Sequence, residues 1–486
     1  MARIPIVEDD PAVAAGIAAE MRLPPATWTH PPRKIALTGT EHAQRCTRAI
    51  VWCRLTERRH AMTRQKQDPA HRVVVIGAGF AGLQAVHDLR GSGAAITLVD
   101  RRNHHLFQPL LYQVATTVLA TSEIAWPIRN LFRSRQDVET LLGDVVAIDR
   151  AARLVVLKDG ARLRYDTLIV ATGARHAYFG QDEWERFAPG LKTLEDATTI
   201  RRRVLLALER AELEDDPAER AALMTFAIIG AGPTGVELAG TIAELAHHIL
   251  PREFRRIDPR AARILLIEGG PRVLPAFSAE TSAYTAGALR KLGVEIVSDS
   301  LVTHCGPEGI RIADRAIACR TVIWAAGVQA SPAARWLGVE ADRAGRALVC
   351  PDLSIAGDRD IFAIGDTAMV LQGSRPIPGL APAAKQQGAY VARVIRRRLA
   401  GKSPPAPFRY RHQGNLATIG RHAAVIEFGR LRLKGALAWW IWGIVHIYFL
   451  IGVRSRAAVA WSWLWIHLSG VQSARLITQK ETIPDP

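Results

Sequence analysis

Two glycine fingerprints of one kind, Gly77-Ala-Gly-Phe-Ala-Gly82 and Gly230-Ala-Gly-Pro-Thr-Gly235, stand 153 residues apart in this chain of 486. Each lies between a short apolar run and a stretch with helical spacing, and that order of elements commits the chain to an α/β fold. A lone G-x-G-x-x-G is weak evidence without its flanks. Around the first, Arg72-Val-Val-Val-Ile-Gly77 reads as a buried parallel strand, and Leu83, Val86 and Leu89 continue at helical spacing. Ala95-Ile-Thr-Leu-Val-Asp100 then reads as a second strand that ends in an acid.

In such a βαβ unit the glycines have separate tasks. Gly77 makes the tight turn, Gly79 lets backbone approach a pyrophosphate, and Gly82 permits close packing of helix on strand, with Phe80 and Ala81 between them also expected at the cofactor. The phosphates of a dinucleotide would meet the positive end of the helix dipole, while Asp100 accepts hydrogen bonds from a ribose. The second unit repeats this logic through Gly230, Gly232 and Gly235, a helix from about Pro233 to His248, and a strand ending at Glu268. Its acid comes 38 residues after Gly230, because a polar insertion, Leu250 to Pro259, lengthens the connection. A carboxylate at Glu268 favours a free ribose 2′-hydroxyl over a 2′-phosphate, so NADH is the expected coenzyme; Arg272 keeps NADPH open.

The Lys and Arg excess sets the net charge at +17, which fits either nucleic acid or an anionic membrane surface. Arginine is scattered and no nucleic-acid module is legible, so the membrane reading leads and no nucleic-acid partner is expected. The five cysteines, Cys46, Cys53, Cys305, Cys319 and Cys350, form no C-x-x-C pair and no metal-ligand spacing. No metal site is expected. Disulfide-reducing flavoenzymes also carry two dinucleotide motifs but need a redox-active cysteine pair, so electrons here must pass to a diffusible acceptor or to another protein.

Four regions follow. Residues 1–70 form an N-terminal extension without sustained periodicity, expected to be disordered or an artefact of start-site choice, since Met62 resembles a natural start. Residues 71–180 and 327–400 make up a split FAD-binding domain, residues 181–326 an inserted NADH-binding domain, and residues 401–486 a membrane-associating region. Tyr165 to Gly173 is a strand closing in a small-residue turn, where Thr172 and Gly173 let backbone come close to a flat cofactor. Thr321 to Gly327 ends in the corresponding Ala326-Gly327 turn of the inserted domain. Asp360-Ile-Phe-Ala-Ile-Gly-Asp366 delivers Gly365 and Asp366 at a strand tip, where the carboxylate can hold ribityl hydroxyls. The helix starting near Pro382 can stabilise negative charge on a reduced isoalloxazine. His104 and His105 are vicinal, point to opposite sides of a strand and have no third ligand, so both read as structural.

Near the C-terminus, Gly435 to Val453 is nineteen residues without formal charge, and six of the twelve tryptophans fall between Trp439 and Trp465. Interrupting glycines, basic flanks and a second apolar stretch from Ala457 to Leu468 favour helices lying in the headgroup layer over a simple span. A dimer interface is the alternative, and one helix could serve both.

With these residues in view the chain resembles the type II NADH:quinone oxidoreductases, single-subunit respiratory dehydrogenases that pump no protons. The resemblance runs from about Val73 to Arg475, and its most specific stretch is Asn103-His-His-Leu-Phe-Gln-Pro-Leu-Leu-Tyr-Gln-Val-Ala115. It implies two Rossmann-like domains in the manner of glutathione reductase, non-covalent FAD, NADH as donor, and a membrane quinone, ubiquinone or menaquinone, as acceptor. It also implies a homodimer attached to one leaflet as a peripheral, monotopic protein, with the cytoplasmic face of a bacterial inner membrane as the default. By the same resemblance Glu237 lies near nicotinamide and flavin, and Gln386 matches the second glutamine of an Ala-Gln-x-Ala-x-Gln quinone pattern. Pro382 stands where that pattern has its first glutamine, which removes one hydrogen-bond partner for a quinone carbonyl. Glu237 and Lys385 are the candidate proton donors. A sulfide:quinone or ferredoxin-type reductase on the same scaffold, or a flavoprotein that senses NADH without turnover, are the rival readings.

Overall fold

The computed structural model describes residues 70–470, 472 and 474–477, which belong to one compact unit, Ala70–Pro486. The N-terminal extension expected over residues 1–70 lies outside the described residues, Ala70 apart.

Parallel strands organise that unit. β1 (Arg72–Ile76) is buried from Val73 onward, α1 (Phe80–Asp88) follows the first fingerprint, and β2 (Ala95–Asp100) returns in parallel beside β1. β3 (Val138–Leu142) extends the sheet beyond β2, and β4 (Thr167–Val170) lies on the other side of β1. The second fingerprint is built to the same plan. β5 (Thr225–Ile229), α2 (Pro233–Glu244) and β6 (Arg263–Ile267) form its unit, β7 (Val294–Val297) pairs with β6, and β8 (Thr321–Trp324) takes the far side of β5. This second sheet has the order β7-β6-β5-β8 and is parallel throughout. The chain then returns to the first sheet with β9 (Ser354–Ile355) and β10 (Asp358–Ala363), giving the order β9-β10-β4-β1-β2-β3, in which β9 runs antiparallel to β10. Central strands covered on both faces need unbroken apolar sequence, and β1, β4 and β5 supply it.

α3 (Ala381–Leu399) packs against α1 with no room to spare, since a Cβ added at Gly388 would stand 2.2 Å from the carbonyl oxygen of Ala81. The helix expected to reach His248 keeps α-geometry only to Glu244 and continues as one π-helical turn over Leu245–Ile249. Such wide turns insert one extra residue per turn and often mark functional positions.

The C-terminal segment forms an antiparallel sheet of β11 (Asn415–Thr418), β12 (Ala424–Phe428) and β13 (Leu431–Gly435), then two helices, α4 (Ala436–Phe449) and α5 (Val453–Ser469). The uncharged stretch from Gly435 to Val453 is thereby divided. Its helical part, α4, has 14 residues and is about 21 Å long. Among the described residues no helix is long and apolar enough to cross a membrane. Trp442, Val459 and Ile466 turn inward, whereas Leu437, Trp440, Ile444, Tyr448, Trp461 and Leu468 face outward and are exposed.

Candidate active site

The two fingerprints fold into turns that match bond for bond. Gly77 has φ +102° and Gly230 φ +101°, a region that favours glycine. The amide of Gly77 donates to Val99 O and that of Gly230 to Ile267 O, both at 2.7 Å. A Cβ at Gly82 would lie 1.9 Å from Gly77 O, and one at Gly235 would lie 1.8 Å from Gly230 O, so helix and turn touch only because both residues are glycine. Gly79 and Gly232 differ in kind: no atom lies within 4 Å of a Cβ added at either, and each opens a helix N-terminus onto free space. That is the room a pyrophosphate needs.

Asp100 and Glu268 stand at the ends of β2 and β6. Besides presenting a carboxylate, each ties down its own turn: Asp100 Oδ2 accepts from Ala78 N at 2.6 Å and Glu268 Oε2 from Ala231 N at 2.7 Å. The small-residue turns are placed equivalently too. A Cβ at Gly77 would meet the carbonyl of Ala171, just before Thr172 and Gly173, and a Cβ at Gly230 would meet Ala325 and Ala326, just before Gly327.

At the tip of β10, Gly365 (φ +71°) turns the chain and its amide donates to Gln387 Oε1 at 2.6 Å. Thr367 Oγ1 accepts from Gly173 N at 2.8 Å, and Thr172 shares a 2.5 Å hydrogen bond with Ser331. Asp366 is held here with Lys192 Nζ at 4.0 Å, its side chain about one quarter exposed. Thr172, Gly173, Gly365 and Asp366 thus lie together beyond the ends of β4 and β10.

Glu237 sits on the second turn's helix, and burial pushes its carboxyl up to about 8. Thr418 N donates to its Oε1 at 3.4 Å. From there a row of side chains continues: Thr418 Oγ1 lies 2.8 Å from Tyr112 OH, Gln113 Nε2 donates to that hydroxyl at 2.9 Å, and Trp463 Nε1 donates to Gln113 Oε1 at 2.7 Å. Glu237 is therefore connected to α5. Burial also raises Glu244, two turns further along α2, to about 7, and it accepts from Arg421 N at 2.7 Å.

Lys385 belongs to a second group. Its Nζ lies 5.1 Å from the Phe449 ring centroid on α4, and burial lowers its pKa. Nearby His105, pushed down to about 4 by burial, donates from Nδ1 to Ala78 O at 2.9 Å, while its buried Nε2 has no hydrogen-bond partner among the described residues. Gln386 belongs to neither group. Its Nε2 donates to Arg411 O and its Oε1 accepts from Arg411 N, both at 2.9 Å, so the amide read as a quinone contact is already committed to main chain. The next residue, Gln387, is the one that turns inward, to Gly365. Tyr112 and Gln113 lie in the stretch that carried the resemblance, but nothing in their spacing marked them as partners of Thr418 and Trp463, which are hundreds of residues away.

Cys305 and Cys319 are buried, and desolvation pushes their thiols up to about 12 and about 11. Neither is a ready nucleophile. Among the described residues no group of His, Cys, Asp or Glu could hold a metal ion.

Comparison with known proteins agrees with this geometry. Residues 71–388 match the family of pyridine nucleotide-disulphide oxidoreductases, and residues 412–471 match the NDH2 C-terminal domain. A type II NADH:quinone oxidoreductase of Mycobacterium tuberculosis is 44% identical over 425 residues, covering 85% of this chain and 91% of that protein. The chain belongs to the type II NADH:quinone oxidoreductases. A second such oxidoreductase of the same organism is 43% identical over 409 residues, 81% of this chain and 86% of its own. The structure of NDH2 from Plasmodium falciparum in complex with NADH shares the fold, with a TM-score of 0.77 at 20% identity over 84% of this chain and all of that one. Membership in the type II oxidoreductases also accounts for the missing cysteine pair, since an enzyme of this class delivers electrons to quinone and not to a disulfide.

Proposed function

We infer that the protein is an FAD-dependent NADH:quinone oxidoreductase in which the first turn holds FAD and the second NADH. The observation that carries this reading is the pair of matched turns, each with an open middle glycine and a carboxylate at the end of its second strand. Gly77, Gly79, Gly82 and Asp100 would cradle the FAD pyrophosphate and ribose, and Thr172, Gly173, Gly365 and Asp366 the flavin end. Gly230, Gly232, Gly235 and Glu268 would take NADH, with Ala326 and Gly327 beside its nicotinamide. Bound FAD supplies the chemistry of accepting a hydride and releasing two electrons.

The protein's own part is positioning, dryness and protons. Glu268 keeps a negative charge where NADPH would carry its 2′-phosphate. The buried, raised carboxyl of Glu237 carries a proton at pH 7, and quinone reduction consumes two. Lys385 is the second candidate donor, its ammonium half-buried beside α4. Gln386 acts by fixing the Arg411 segment to α3.

The outward residues of α4 and α5, with Arg454 and Arg456 at the start of α5, fit a headgroup layer, the aromatic rings in the interface and the cations against anionic lipid. A peripheral, homodimeric protein on the cytoplasmic face of a bacterial inner membrane is the arrangement proposed. The split FAD-binding domain over 71–180 and 327–400, the NADH-binding domain over 181–326 and the lipid-facing segment beyond 400 are its working divisions.

Anaerobic addition of NADH to the purified protein tests the function. NADH bleaches the flavin within the mixing time, and a soluble quinone restores its colour at once. A flavin that stays reduced after quinone addition would refute the assignment.

A further inference from the structure

On the outer side of α3, two adjoining cavities share Ala389 and Arg393. The larger has a volume of about 770 Å³ and is lined by Tyr390, Pro405, Pro407 and Phe408 together with Arg393, Arg409 and Arg411. The smaller, about 400 Å³, adds Arg396, Arg397 and Lys402, with Asp88 as its one acid. None of the residues proposed to hold FAD or NADH lines either cavity.

Six cations, Arg393, Arg396, Arg397, Lys402, Arg409 and Arg411, face the single carboxylate of Asp88. Among the described residues no carboxylate pairs with Arg393, Arg409 or Arg411, and their guanidinium groups have no hydrogen-bond acceptor; Arg411 is engaged through its main chain alone. Among the described residues the guanidinium groups of Arg396 and Arg397 reach only the main-chain carbonyls of Asp88 and Ser403, and the Asp88 carboxylate is hydrogen-bonded to Gln84 and His87. Like charges gathered in one concave place repel one another and raise the local concentration of anions. Guanidinium forks match phosphate oxygens in pairs.

An apolar, ring-bearing wall completes the site. Phe408 packs edge-on to Tyr390 with centroids 5.4 Å apart. Tyr390 is 6% exposed, yet its hydroxyl has no hydrogen-bond partner. Buried hydroxyls are rarely left so. Both cavities fall in the size range of small-molecule sites.

We propose that this paired cavity binds a free nucleoside polyphosphate, its base against Phe408 and Tyr390 and its phosphates among Arg393, Arg409, Arg411 and the cations of the smaller cavity. A phosphate ester on an apolar body could also be an anionic lipid. The number of cations decides between them, since a phosphodiester headgroup carries one negative charge and a nucleoside triphosphate three to four. Gln386 also lines the larger cavity, with its amide bonded to the main chain of Arg411, and the proposal does not depend on which turn holds which dinucleotide.

Binding of ATP to the FAD-loaded full-length protein tests it, with saturating NAD⁺ present to fill the nicotinamide site and a fluorescent ATP analogue as probe. One analogue binds per chain, is displaced by ATP and by inorganic triphosphate, and weakens as salt is raised. The double variant Arg393→Ala/Arg409→Ala lowers affinity at least tenfold while NADH:quinone activity and flavin content stay at wild-type level. Absence of binding at millimolar ATP, or binding indifferent to the double substitution, overturns the proposal. So does binding of anionic phosphatidylglycerol vesicles that needs Arg393 and Arg409 while ATP fails to bind.

Discussion

The two dinucleotide turns are near copies in backbone and unlike in what covers them. Their glycine φ angles differ by a degree, and the helix-opening bonds, Leu83 N to Gly79 O and Val236 N to Gly232 O, are both 3.0 Å. Over the first turn lies α3, its Gly388 against Ala81 and Ala85 of α1, a helix whose buried residues are all apolar. Over the second lies the β11–β12 hairpin, with a Cβ at Gly240 only 2.9 Å from Gly420 N, and beneath it α2 buries two carboxyls, Glu237 and Glu244. Even the turn carbonyls are held differently: Ala78 O by the His105 ring, Ala231 O by the main chain of Leu274. A backbone motif fixes where phosphates go, and the lid over it decides what else the unit does. The apolar lid suits a cofactor that stays, and the acidic one suits chemistry that moves protons.

Damage to the apolar lid has the largest expected effect. Gly388→Leu drives a side chain into Ala81 O and costs about 3 kcal/mol; flavin is lost on gel filtration while the second unit's sheet, read by hydrogen exchange, stays protected. Next comes the acidic lid. Glu237→Gln lowers the quinone reduction rate on the order of 100-fold but leaves NADH-driven bleaching of the flavin in place. The same carboxyl sets a pH signature. It ionises at about 8 in the fold against about 4.5 without it, so the folded chain keeps an extra proton between those values and stability falls as pH rises through that window. Thermal melts of Glu237→Gln between pH 5 and 8.5 show a flatter decline than wild type.

Smaller effects separate the two acids. Glu268→Gln keeps an acceptor for Ala231 N but loses the charge, and the kcat/KM preference for NADH over NADPH falls about tenfold, roughly 1.4 kcal/mol. The matched change Asp100→Asn leaves that preference untouched and weakens FAD retention instead. Tyr112→Phe, which breaks the row between Thr418 and Gln113, costs about 1 kcal/mol in denaturant unfolding. An unchanged midpoint would mean the row is not formed.

Much of this was legible in sequence because it rests on local rules. A β-branched run, a glycine turn and an acid at the next strand's end are tied together by short connections, and β1, β2, β5 and β6 lie where that pattern put them. Asp366 and the Ala-Thr-Gly turn could be placed because strand tips must bring their small residues to one edge. What escaped depends on contacts distant in sequence. Thr418 and Trp463 look like any hairpin threonine and any apolar helix tryptophan until Tyr112 and Gln113 meet them. Glu244 is not singled out by the sequence, since it meets the β11–β12 hairpin at Arg421, 177 residues later. Gln386 and Gln387 are neighbours, and only the packing of α3 on α1 decides that Gln387 faces inward. In the uncharged run to Val453, where interrupting glycines spoke against a simple span, Gly452 (φ +81°) and the extended Leu450 end α4 early.

Gly79 and Gly232 offer the most direct test that the first turn holds FAD and the second NADH. Both have extended backbone angles that any residue tolerates, φ −72° and −68°, and open space where a side chain would go. A valine at either site therefore blocks a pyrophosphate without disturbing the fold. Flavin content and NADH affinity, measured on Gly79→Val and Gly232→Val side by side, should part cleanly. Gly79→Val retains less than about a tenth of its FAD, whereas Gly232→Val keeps one FAD per chain and binds NADH at least tenfold more weakly. A Gly232→Val protein that lost its flavin, beside a Gly79→Val protein that kept it, would contradict the assignment.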